Sequence, residues 1–380
     1  MSITKSKIAF DVTGANTFGS YYHIKSLVKH FEENEYLDYK LIVFCTDNFF
    51  LKFSTVNVQV YQMSFCKNIF FRIIWSTLIF PIVCFAIKVK IIYSPFDIGP
   101  FYSFGIKIIL GIKNPNSILP KDLVTLRYPK LHMIVSYISS LSASKYLFPS
   151  QFALESVGRF LANTRIKGTF VHHGLDFKEW SIIKKNNNFH SPKKYIFFCS
   201  SLYKFKNIEV LLKTLEKINS NIIGDKFDLI ICGKFVCNRY RNDIYALVNS
   251  LKIQSNVIFY NNLDREKIIY LYKNAEVNVI PTLFETFGHM YLEAIQSGSP
   301  VLVGDIPVAH EILGDSVIYF PPKEHEYLAN LILSKKYSEN LFEMNFKRSE
   351  ILKKFSIYNE CMNTFKVLLD SSKVKKSSFA

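Results

Sequence analysis

The sequence predicts an α/β protein made of two Rossmann-like, doubly wound domains that face a cleft. Strand-like and helix-like stretches alternate from residue 7 to residue 159, a polar break follows at residues 184–194, and the alternation resumes at residue 195. Such alternation indicates parallel sheets covered by helices on both faces. Ligands of these sheets bind at the carboxyl ends of the strands.

The first half supplies the elements of one domain. Short apolar runs predict strands, and stretches with helical periodicity predict helices. The predicted strands are residues 7–12, 39–45, 91–94, 106–110 and 146–149, and the predicted helices are residues 21–31, 131–144 and 151–159.

The second half repeats the pattern after the polar break, whose sequence KKNNNFHSPKK has the composition of a linker. Its predicted strands are residues 195–199, 227–232, 257–260 and 277–280, and its predicted helices are residues 207–218, 243–251, 264–274 and 357–369. We therefore predict domains at 1–176 and 190–355, a last helix at 356–370 and a loose tail at 371–380.

The composition fits two folded domains. A chain of 380 residues is long for one domain, and 49% hydrophobic with 21% charged residues argues against disorder. The net charge of +16 permits anionic partners, although a coding bias toward Lys, Asn, Ile, Phe and Tyr explains it equally well. Seven cysteines without a Cys-x-x-Cys pair, and no signal-peptide core, predict a cytoplasmic protein.

Residues 73–87 are apolar enough to raise the question of a membrane span. The stretch is shorter than the roughly 20 residues that cross a bilayer, and Pro81 interrupts it. It therefore predicts a buried helix or a helix on the membrane surface. A peripheral contact through residues 65–90 at the inner face of the cell membrane is the corresponding hypothesis, with these basic residues: Lys67, Arg72, Lys88 and Lys90.

Several familiar chemistries lack their residues. Gly14 to Gly19 has P-loop glycine spacing, but Ser20 and Tyr21 stand where Lys and Ser/Thr are needed. The sequence contains no His-Glu-x-x-His, no Gly-x-Ser-x-Gly and no Asp-x-Asp pair for a divalent ion, so no metal is expected. The aromatic residues are not interleaved with Lys and Arg on one face, so no nucleic-acid partner is expected.

The most informative stretch is residues 281–322, which holds two acids around a glycine turn. Glu285 precedes Gly288, and Glu293 lies in the predicted helix that follows. Carboxylates bind vicinal diols, and the N–H groups at a helix start bind anions. Two solvated surface acids are the alternative, but the neighbouring residues are too apolar for a free surface: Phe284, Phe287, Met290, Tyr291 and Leu292.

A second candidate is the loop after the strand at residues 195–199. Lys204 and Lys206 lie there, between the strand and a helix, where a cation can neutralise a diphosphate. Taken alone, two solvated lysines explain this loop better.

Together these segments resemble the retaining GT-B glycosyltransferases of family 4, the glycosyl transferases of group 1. The Glu-x7-Glu pair is Glu285 and Glu293, and SGSPVLVGDIPVAHEILGD at 297–315 resembles the family closely. The loop at Lys206 and Asn207 matches the family's donor-phosphate loop. Residues 171–176 resemble its interdomain segment, and residues 355–358 resemble the start of the helix that crosses back to the N-terminal domain.

The resemblance implies roles for individual residues. Glu293 would bind the nucleotide ribose, and Glu285 would contact the transferred sugar near its reacting carbon. Lys206 would hold the diphosphate and stabilise its growing charge. Further donor contacts are implied by position for Gly288, His289, Met290, Lys204, Ser201 and Gly19.

The sequence also departs from the family. Ser201 stands where an Arg is common, and Lys204 is its candidate substitute. The family's N-domain His, which faces the sugar, is replaced by a region with Lys113 and Asn114, two candidates for the acceptor side. His172 and His173 precede Gly174 where Asn-Gly is common, and packing is the expected role of these histidines.

The resemblance implies a retaining, metal-independent hexosyltransferase without a cofactor. Its donor would be a nucleotide-diphospho-sugar, and its acceptor a glycan or lipid-linked hydroxyl in bacterial surface polysaccharide synthesis, such as lipopolysaccharide O-antigen. A non-catalytic GT-B protein that binds glycans or acts as a scaffold is the alternative, favoured by Ser201 and the missing His. A GT-B phosphorylase is a further alternative, but no cofactor lysine motif is visible.

Overall fold

The computed structural model describes residues 5–15, 18–34, 36, 38–114, 119–121, 123–124, 129–181, 191–192, 194–221, 224 and 226–370. The chain divides into two compact units, the first from residues 1–118, 126–174 and 357–380, the second from 119–125 and 175–356. The predicted tail, and the predicted linker apart from residues 191, 192 and 194, lie outside the described residues. The short segment 119–125 belongs to the second unit, which the predicted boundaries do not anticipate.

The first unit is built on one parallel sheet. Its strands are β1 (Ser6–Asp11), β2 (Tyr39–Cys45), β3 (Val58–Gln62), β4 (Val89–Ser94), β5 (Lys107–Gly111), β6 (Lys145–Phe148) and β7 (Gly168–Phe170). Among the described residues they run in the order β3-β2-β1-β4-β5-β6-β7. Its helices before residue 174 are α1 (Phe18–Glu33), α2 (Ile69–Ile74), α3 (Phe80–Ala86), α4 (Pro129–Ser142), α5 (Gln151–Ser156) and α6 (Thr164–Lys167).

The second unit repeats this architecture. Its strands are β8 (Tyr195–Cys199), β9 (Asp228–Cys232), β10 (Val257–Tyr260), β11 (Val277–Ile280), β12 (Val301–Gly304) and β13 (Ile318–Phe320), in the described order β10-β9-β8-β11-β12-β13. Its helices are α7 (Lys178–Ser181), α8 (Ile208–Asn221), α9 (Asn238–Ser250), α10 (Arg265–Asn274), α11 (His289–Gln296), α12 (Pro307–Leu313), α13 (His325–Ser334) and α14 (Leu341–Lys354). Both sheets have the Rossmann strand order, so the predicted fold class is confirmed.

Burial on both faces explains why the central strands are continuous apolar runs. In β1, Ile8 and Phe10 belong to one core cluster, and Ala9 between them belongs to another. Alternate side chains of a strand point to opposite faces, so helices cover both sides of this sheet. The unpredicted strands β3 and β7 lie at its edges, where VQVYQ and GTF lack an apolar run.

The apolar stretch near residue 80 forms a helix that continues through Pro81. A π-helical turn at Trp75–Ile79 joins α2 to α3, and Pro81 occupies the first turn of α3, where its missing N–H is tolerated. We call Ile69–Ala86 the outer helix. It is the one described helix long and apolar enough to cross a membrane, and a third of it is buried, although a core helix passes the same test.

The last helix, α15 (Ile357–Asp370), packs in the first unit, and a buried carboxylate holds it there. Glu360 Oε1 accepts from Nδ1 of His23 and of His173, each at 2.6 Å, and Oε2 accepts from the backbone N–H of Gly174 at 2.7 Å. His173 was expected only to pack; in the structure it donates a hydrogen bond to α15. A buried charge needs such partners, since losing one costs about 3–5 kcal/mol.

This cluster predicts that acid destabilises the protein. Burial lowers the pKa of His173 to about 4, while the carboxylate of Glu360 opposes the shift. Burial alone would raise the pKa of Glu360, but His173 and His23 outweigh it and hold that pKa well below its usual value. As pH falls below 6.5, the unfolded chain therefore binds a proton at His173 that the folded chain does not bind until about pH 4, so the free energy of unfolding decreases.

We expect the free energy of unfolding to fall by about 3 kcal/mol between pH 6.5 and pH 4 because of His173 alone. Urea titrations at several pH values measure it. His173→Asn removes this part of the dependence, whereas His310→Asn, at the exposed pair with Asp305, leaves it in place. Equal pH dependence in wild type and His173→Asn would contradict the assignment.

Candidate functional site

The candidate site of the second unit lies where its strand order reverses. β8 and β11 are neighbours there, and their following loops carry the predicted residues. Ser201, Lys204 and Lys206 follow β8, whereas Glu285 follows β11. The strands are parallel, so both loops leave the same edge of the sheet, the edge at which such folds bind ligands.

The loop after β8 is fixed by hydrogen bonds to the loop after β11. Lys204–Lys206 form a 3-10 turn that ends at Asn207 in the left-handed conformation, with φ of 59°. The Asn207 amide donates to the carbonyls of Pro281 and Pro322 at 3.1 and 2.5 Å. Leu283 N–H donates to the Phe205 carbonyl at 2.8 Å. Lys206 is therefore held in position before any ligand binds.

Lys206 and Glu285 form an ion pair at the centre of this edge. Lys206 Nζ donates to Glu285 Oε1 and lies 3.9 Å from Met290 Sδ. The two charged side chains are only 8% and 13% exposed. In such a shielded place the pair interacts more strongly than a surface pair.

Gly288 connects Glu285 to α11. Its φ of +86° is left-handed, and a Cβ there would lie 2.6 Å from the Tyr291 ring. Gly288 therefore permits the sharp turn that starts α11 beside Met290, which is buried. The first N–H groups of a helix lack intrahelical acceptors, so this start can receive an anion.

Glu293 lies on α11 and has partners that the sequence reasoning missed. Arg265, the first residue of α10, donates to Glu293 Oε1 at 2.5 Å, and Tyr272 OH donates to Oε2 at 3.3 Å. The resemblance implied an Arg five residues before Lys206, in the loop after β8, but Ser201 occupies that position. Arg265 instead supplies a cation from another helix, and no sequence spacing links it to Glu293.

The remaining predicted donor residues of this unit differ in exposure. Ser201 and Lys204 are exposed on the loop after β8. His289 is half-buried, and its ring lies edge-on to Phe287 with centroids 5.6 Å apart. Lys206 thus contacts both Glu285 and Met290, and Gly288 forms the turn between those two residues. Ser201 and Lys204 lie on the exposed part of the loop after β8.

Gly19, Lys113 and Asn114 belong to the first unit. Gly19 is exposed in the first turn of α1. The backbone N–H groups of Lys113 and Asn114 donate to Asp97 Oδ1 at 2.7 and 3.0 Å. Burial lowers the pKa of Lys113 to about 8, and the charges of Glu360 and Asp97 oppose this shift. Lys113 therefore begins to lose its positive charge just above neutral pH.

Asp97 is another residue that the sequence reasoning missed. It follows β4 with φ of +64°, and burial raises its pKa, while His132 opposes the shift. Its carboxyl group orders the loop that carries Lys113 and Asn114. A single Asp after a strand gives no sequence signal for this role.

Comparison with known proteins defines the class. Residues 180–345 match the family model described as Glycosyl transferases group 1. An uncharacterized glycosyltransferase of Methanocaldococcus jannaschii is 24% identical over 62% of this chain and 63% of its own. The O-antigen chain mannosyltransferase RfbU of Salmonella typhimurium is 30% identical over 35% of this chain and 36% of its own. The structure of Anabaena HepE in complex with UDP-glucose has a TM-score of 0.71 at 14% identity, covering 96% of this chain and 99% of that one.

The matched residues lie within the second unit, which is therefore the unit that resembles the glycosyl transferases group 1 family, and the chain as a whole has the GT-B fold of two Rossmann-like domains. The matched region covers less than two thirds of the length of these two curated relatives.

Gly288 offers a test of the turn that connects Glu285 to α11. We expect Gly288→Ala to lower the free energy of unfolding by about 2–4 kcal/mol, because the left-handed φ and the contact with Tyr291 both oppose a Cβ. Gly298→Ala is the matched control, since its φ is +78° but no atom lies within 4 Å of the added Cβ. It should cost about 1 kcal/mol in the same urea titration. Equal losses would show that the Tyr291 contact is unimportant.

Proposed function

We propose that this protein is a retaining glycosyltransferase that moves a hexose from a nucleotide-diphospho-sugar to a hydroxyl of a glycan or lipid-linked acceptor. The observation that carries the proposal is the pairing of Lys206 with Glu285, and of Arg265 with Glu293, at the edge where β8 and β11 part. This edge offers cations for a diphosphate and carboxylates for sugar hydroxyls.

In the proposed reaction, negative charge grows on the leaving diphosphate as the bond to the sugar breaks. Lys206 has three N–H donors, and within the described residues Glu285 and Met290 use two of them, so a phosphate oxygen would take the third. The start of α11 would add backbone N–H groups. Glu285 would then hold sugar hydroxyls, and we assign it no covalent step.

Glu293 would bind the ribose. Two carboxylate oxygens accept from Arg265 and Tyr272, and each oxygen has a further lone pair for a hydroxyl. Arg265 would thereby keep the Glu293 carboxylate oriented while a ribose diol binds.

We propose that no metal takes part, because Lys206 and the start of α11 already supply positive charge to the phosphates. Among the described residues, one group of three candidate metal ligands occurs, His23, His173 and Glu360, and it belongs to the first unit. A metal ion found in the purified protein could therefore be bound by this group and would not by itself contradict the proposal.

The proposed biological role is synthesis of a bacterial surface polysaccharide in the cytoplasm. It is supported by the similarity to an O-antigen chain mannosyltransferase. A non-catalytic GT-B protein remains the second candidate, favoured by Ser201 at the place of a common Arg. Hydrolysis of a nucleotide-sugar without acceptor would separate the two, because a scaffold has no turnover.

We further propose a peripheral contact of the outer helix with the inner face of the cell membrane. Its exposed apolar side chains continue in nearby aromatic residues, with Phe85 and Phe104 rings 5.4 Å apart. The exposed apolar residues of the helix are Ile69, Phe70, Phe71, Ile74, Leu78, Ile79, Ile82 and Phe85. Lys67, Lys88 and Lys90 are exposed at its ends, as expected for contact with anionic lipid.

The donor-site assignment predicts distinct kinetic defects. Lys206→Ala should lower kcat about 10²–10³-fold, because the leaving charge loses a preorganised cation. Glu293→Ala should raise the donor KM roughly 10-fold or more, since charge-assisted hydrogen bonds to the ribose are lost. Steady-state turnover of the nucleotide-sugar that gives the largest thermal stabilisation measures both.

Lys213→Ala, an exposed lysine of α8, is the control and should match wild type. Lys206→Ala with Glu285→Gln tests whether an unpaired Glu285 causes the defect; the kcat loss should persist in this double variant. Wild-type turnover by both Lys206→Ala and Glu293→Ala would refute the site.

The membrane contact predicts that Phe71→Glu with Phe85→Glu lowers binding to anionic vesicles at least several-fold, because both rings leave apolar surroundings. Vesicle flotation measures the bound fraction. Phe342→Glu, which changes a still more exposed ring of α14, should float like wild type. Charge reversal at Lys67, Lys88 and Lys90 should also reduce flotation; Arg72 is left unchanged because it is half-buried near Asp11. Unchanged flotation of both sets would refute the contact.

A further inference from the structure

A pocket of about 300 Å³ opens in the first unit beside α4. Its lining is mostly apolar, and its polar members in the described residues are Asp97, His132 and Ser136. Its apolar lining comes from α4, from the end of β5 and from the turn after α5: Ile112, Ile134, Tyr137, Val157, Phe160 and Leu161. The volume is at the lower end of the range that binds small molecules.

Helix α4, which forms one wall of this pocket, buries its polar face and exposes its apolar face. Ser136, Ser139 and Ser140 are buried, and Ser139 Oγ donates to the Gly99 carbonyl at 2.8 Å. The opposite face carries Ile134, Tyr137 and Leu141, which are 57%, 48% and 56% exposed at spacings of three and four residues. A helix on a protein surface normally buries its apolar stripe and exposes its polar one. The apolar stripe of α4 therefore faces outward for contact with something other than the core.

Basic side chains border this stripe. Lys167 Nζ lies 3.5 Å from the carbonyl of Leu141, and the Arg159 guanidinium lies 5.5 Å from the Phe160 ring that lines the pocket. Lys130 and Arg165 are also exposed on the adjoining first turn of α4 and on α6. The exposed acid nearby, Glu155, accepts from Gln151 at 2.8 Å. An apolar pocket with a basic border complements a hydrocarbon chain that ends in a phosphate.

We propose that this surface, defined as the pocket, the α4 stripe and the basic side chains of Arg159 and Lys167, binds the lipid of a phosphate-linked acceptor. An isoprenoid or acyl chain occupies the pocket, and its phosphate contacts Arg159 and Lys167. The inference rests on the proposed function and names the acceptor class. Asp97 connects the two, because it lines the pocket and its carboxyl group orders Lys113 and Asn114.

A lipid fits better than a peptide for two reasons. The pocket offers few polar groups to the backbone of a peptide, whose unsatisfied N–H and C=O groups are costly to bury. Helix α4 and the outer helix also contact the same loop, residues 95–105: Ser142 Oγ donates to Pro100 O, and Phe101 N–H donates to Thr77 O. This loop thus connects the helix that lines the pocket to the helix for which a membrane contact is proposed.

Calorimetric titration of the full-length protein with farnesyl phosphate, dodecyl phosphate and farnesol, each below its critical micelle concentration, tests the inference. We expect both phosphates to bind, and farnesol to bind at least about tenfold more weakly, since it lacks the charge that Arg159 and Lys167 recognise. Tighter binding of farnesyl phosphate assigns an isoprenoid chain, and tighter binding of dodecyl phosphate assigns an acyl chain. Binding of neither phosphate overturns the inference.

Variants locate the binding. Ile134→Asp should weaken both phosphates at least about tenfold by placing a charge in the apolar wall. Arg159→Glu with Lys167→Glu should remove the preference for phosphate over farnesol. The matched controls are Phe346→Asp and Lys213→Glu, exposed positions of the second unit, which should bind like wild type. Equal losses in the controls and the pocket variants would overturn the inference.

Failure of this inference is distinguishable from failure of the proposed function. Thermal stabilisation of the wild-type protein by a nucleotide-sugar reports on donor binding and needs no lipid. Stabilisation without lipid phosphate binding refutes the acceptor class and leaves the glycosyltransferase proposal standing. Lipid phosphate binding without stabilisation by any nucleotide-sugar refutes the proposed function and, with it, the acceptor role of the pocket.

Discussion

The reversal of strand order between β8 and β11 is the constraint on which the candidate site depends. At this point the chain leaves two neighbouring parallel strands and continues to different parts of the sheet, so the loops can part and leave a crevice. A crevice alone would not align a cation and an acid. Asn207 does so, because its amide ties the loop of Lys206 to the backbone on both sides of the Glu285 segment. The opposite charges of Lys206 and Glu285 then meet at the centre of this edge.

In the first unit, contacts between residues distant in the sequence fix the position of the last helix, α15. Its last helix comes from the far end of the sequence, and a single buried carboxylate on that helix accepts three hydrogen bonds from elements 180–340 residues away. Such a carboxylate is costly to bury unless all its partners are present. It therefore specifies one position for α15, and it makes the stability of the unit sensitive to acid.

The surface of the first unit carries two helices whose apolar side chains are exposed. Both α4 and the outer helix expose apolar side chains that a core would normally cover, and α4 buries serines instead. Exposed apolar area on this scale is unfavourable in water and indicates a binding surface. In contrast to the sheet edge that carries Lys206 and Glu285, which is built from paired charges, this surface is apolar with basic residues at its border. The two units thus present chemically different surfaces, one for which we propose a nucleotide-sugar and the other for which we propose a lipid.

The sequence by itself determined the parts of this protein that depend on local pattern. Apolar runs located each of the four predicted strands of the second half to within one residue, and the Glu-x7-Glu segment with its glycine turn indicated Glu285, Gly288 and Glu293 as candidate site residues. The edge strands β3 and β7 of the first sheet escaped prediction because they bury little, and the outer helix continues through Pro81 because a π-helical turn accommodates it.

Only the tertiary structure decided which charges meet. Arg265 and Glu293 are 28 residues apart, Lys206 and Glu285 are 79 apart, and His23 and Glu360 are 337 apart. No periodicity connects such positions, because their proximity follows from the order of strands in the sheets and not from the spacing of residues along the chain. The same holds for α4: its sequence shows an apolar stripe, but the packing of its serines against residues 99–100 turned that stripe toward the solvent.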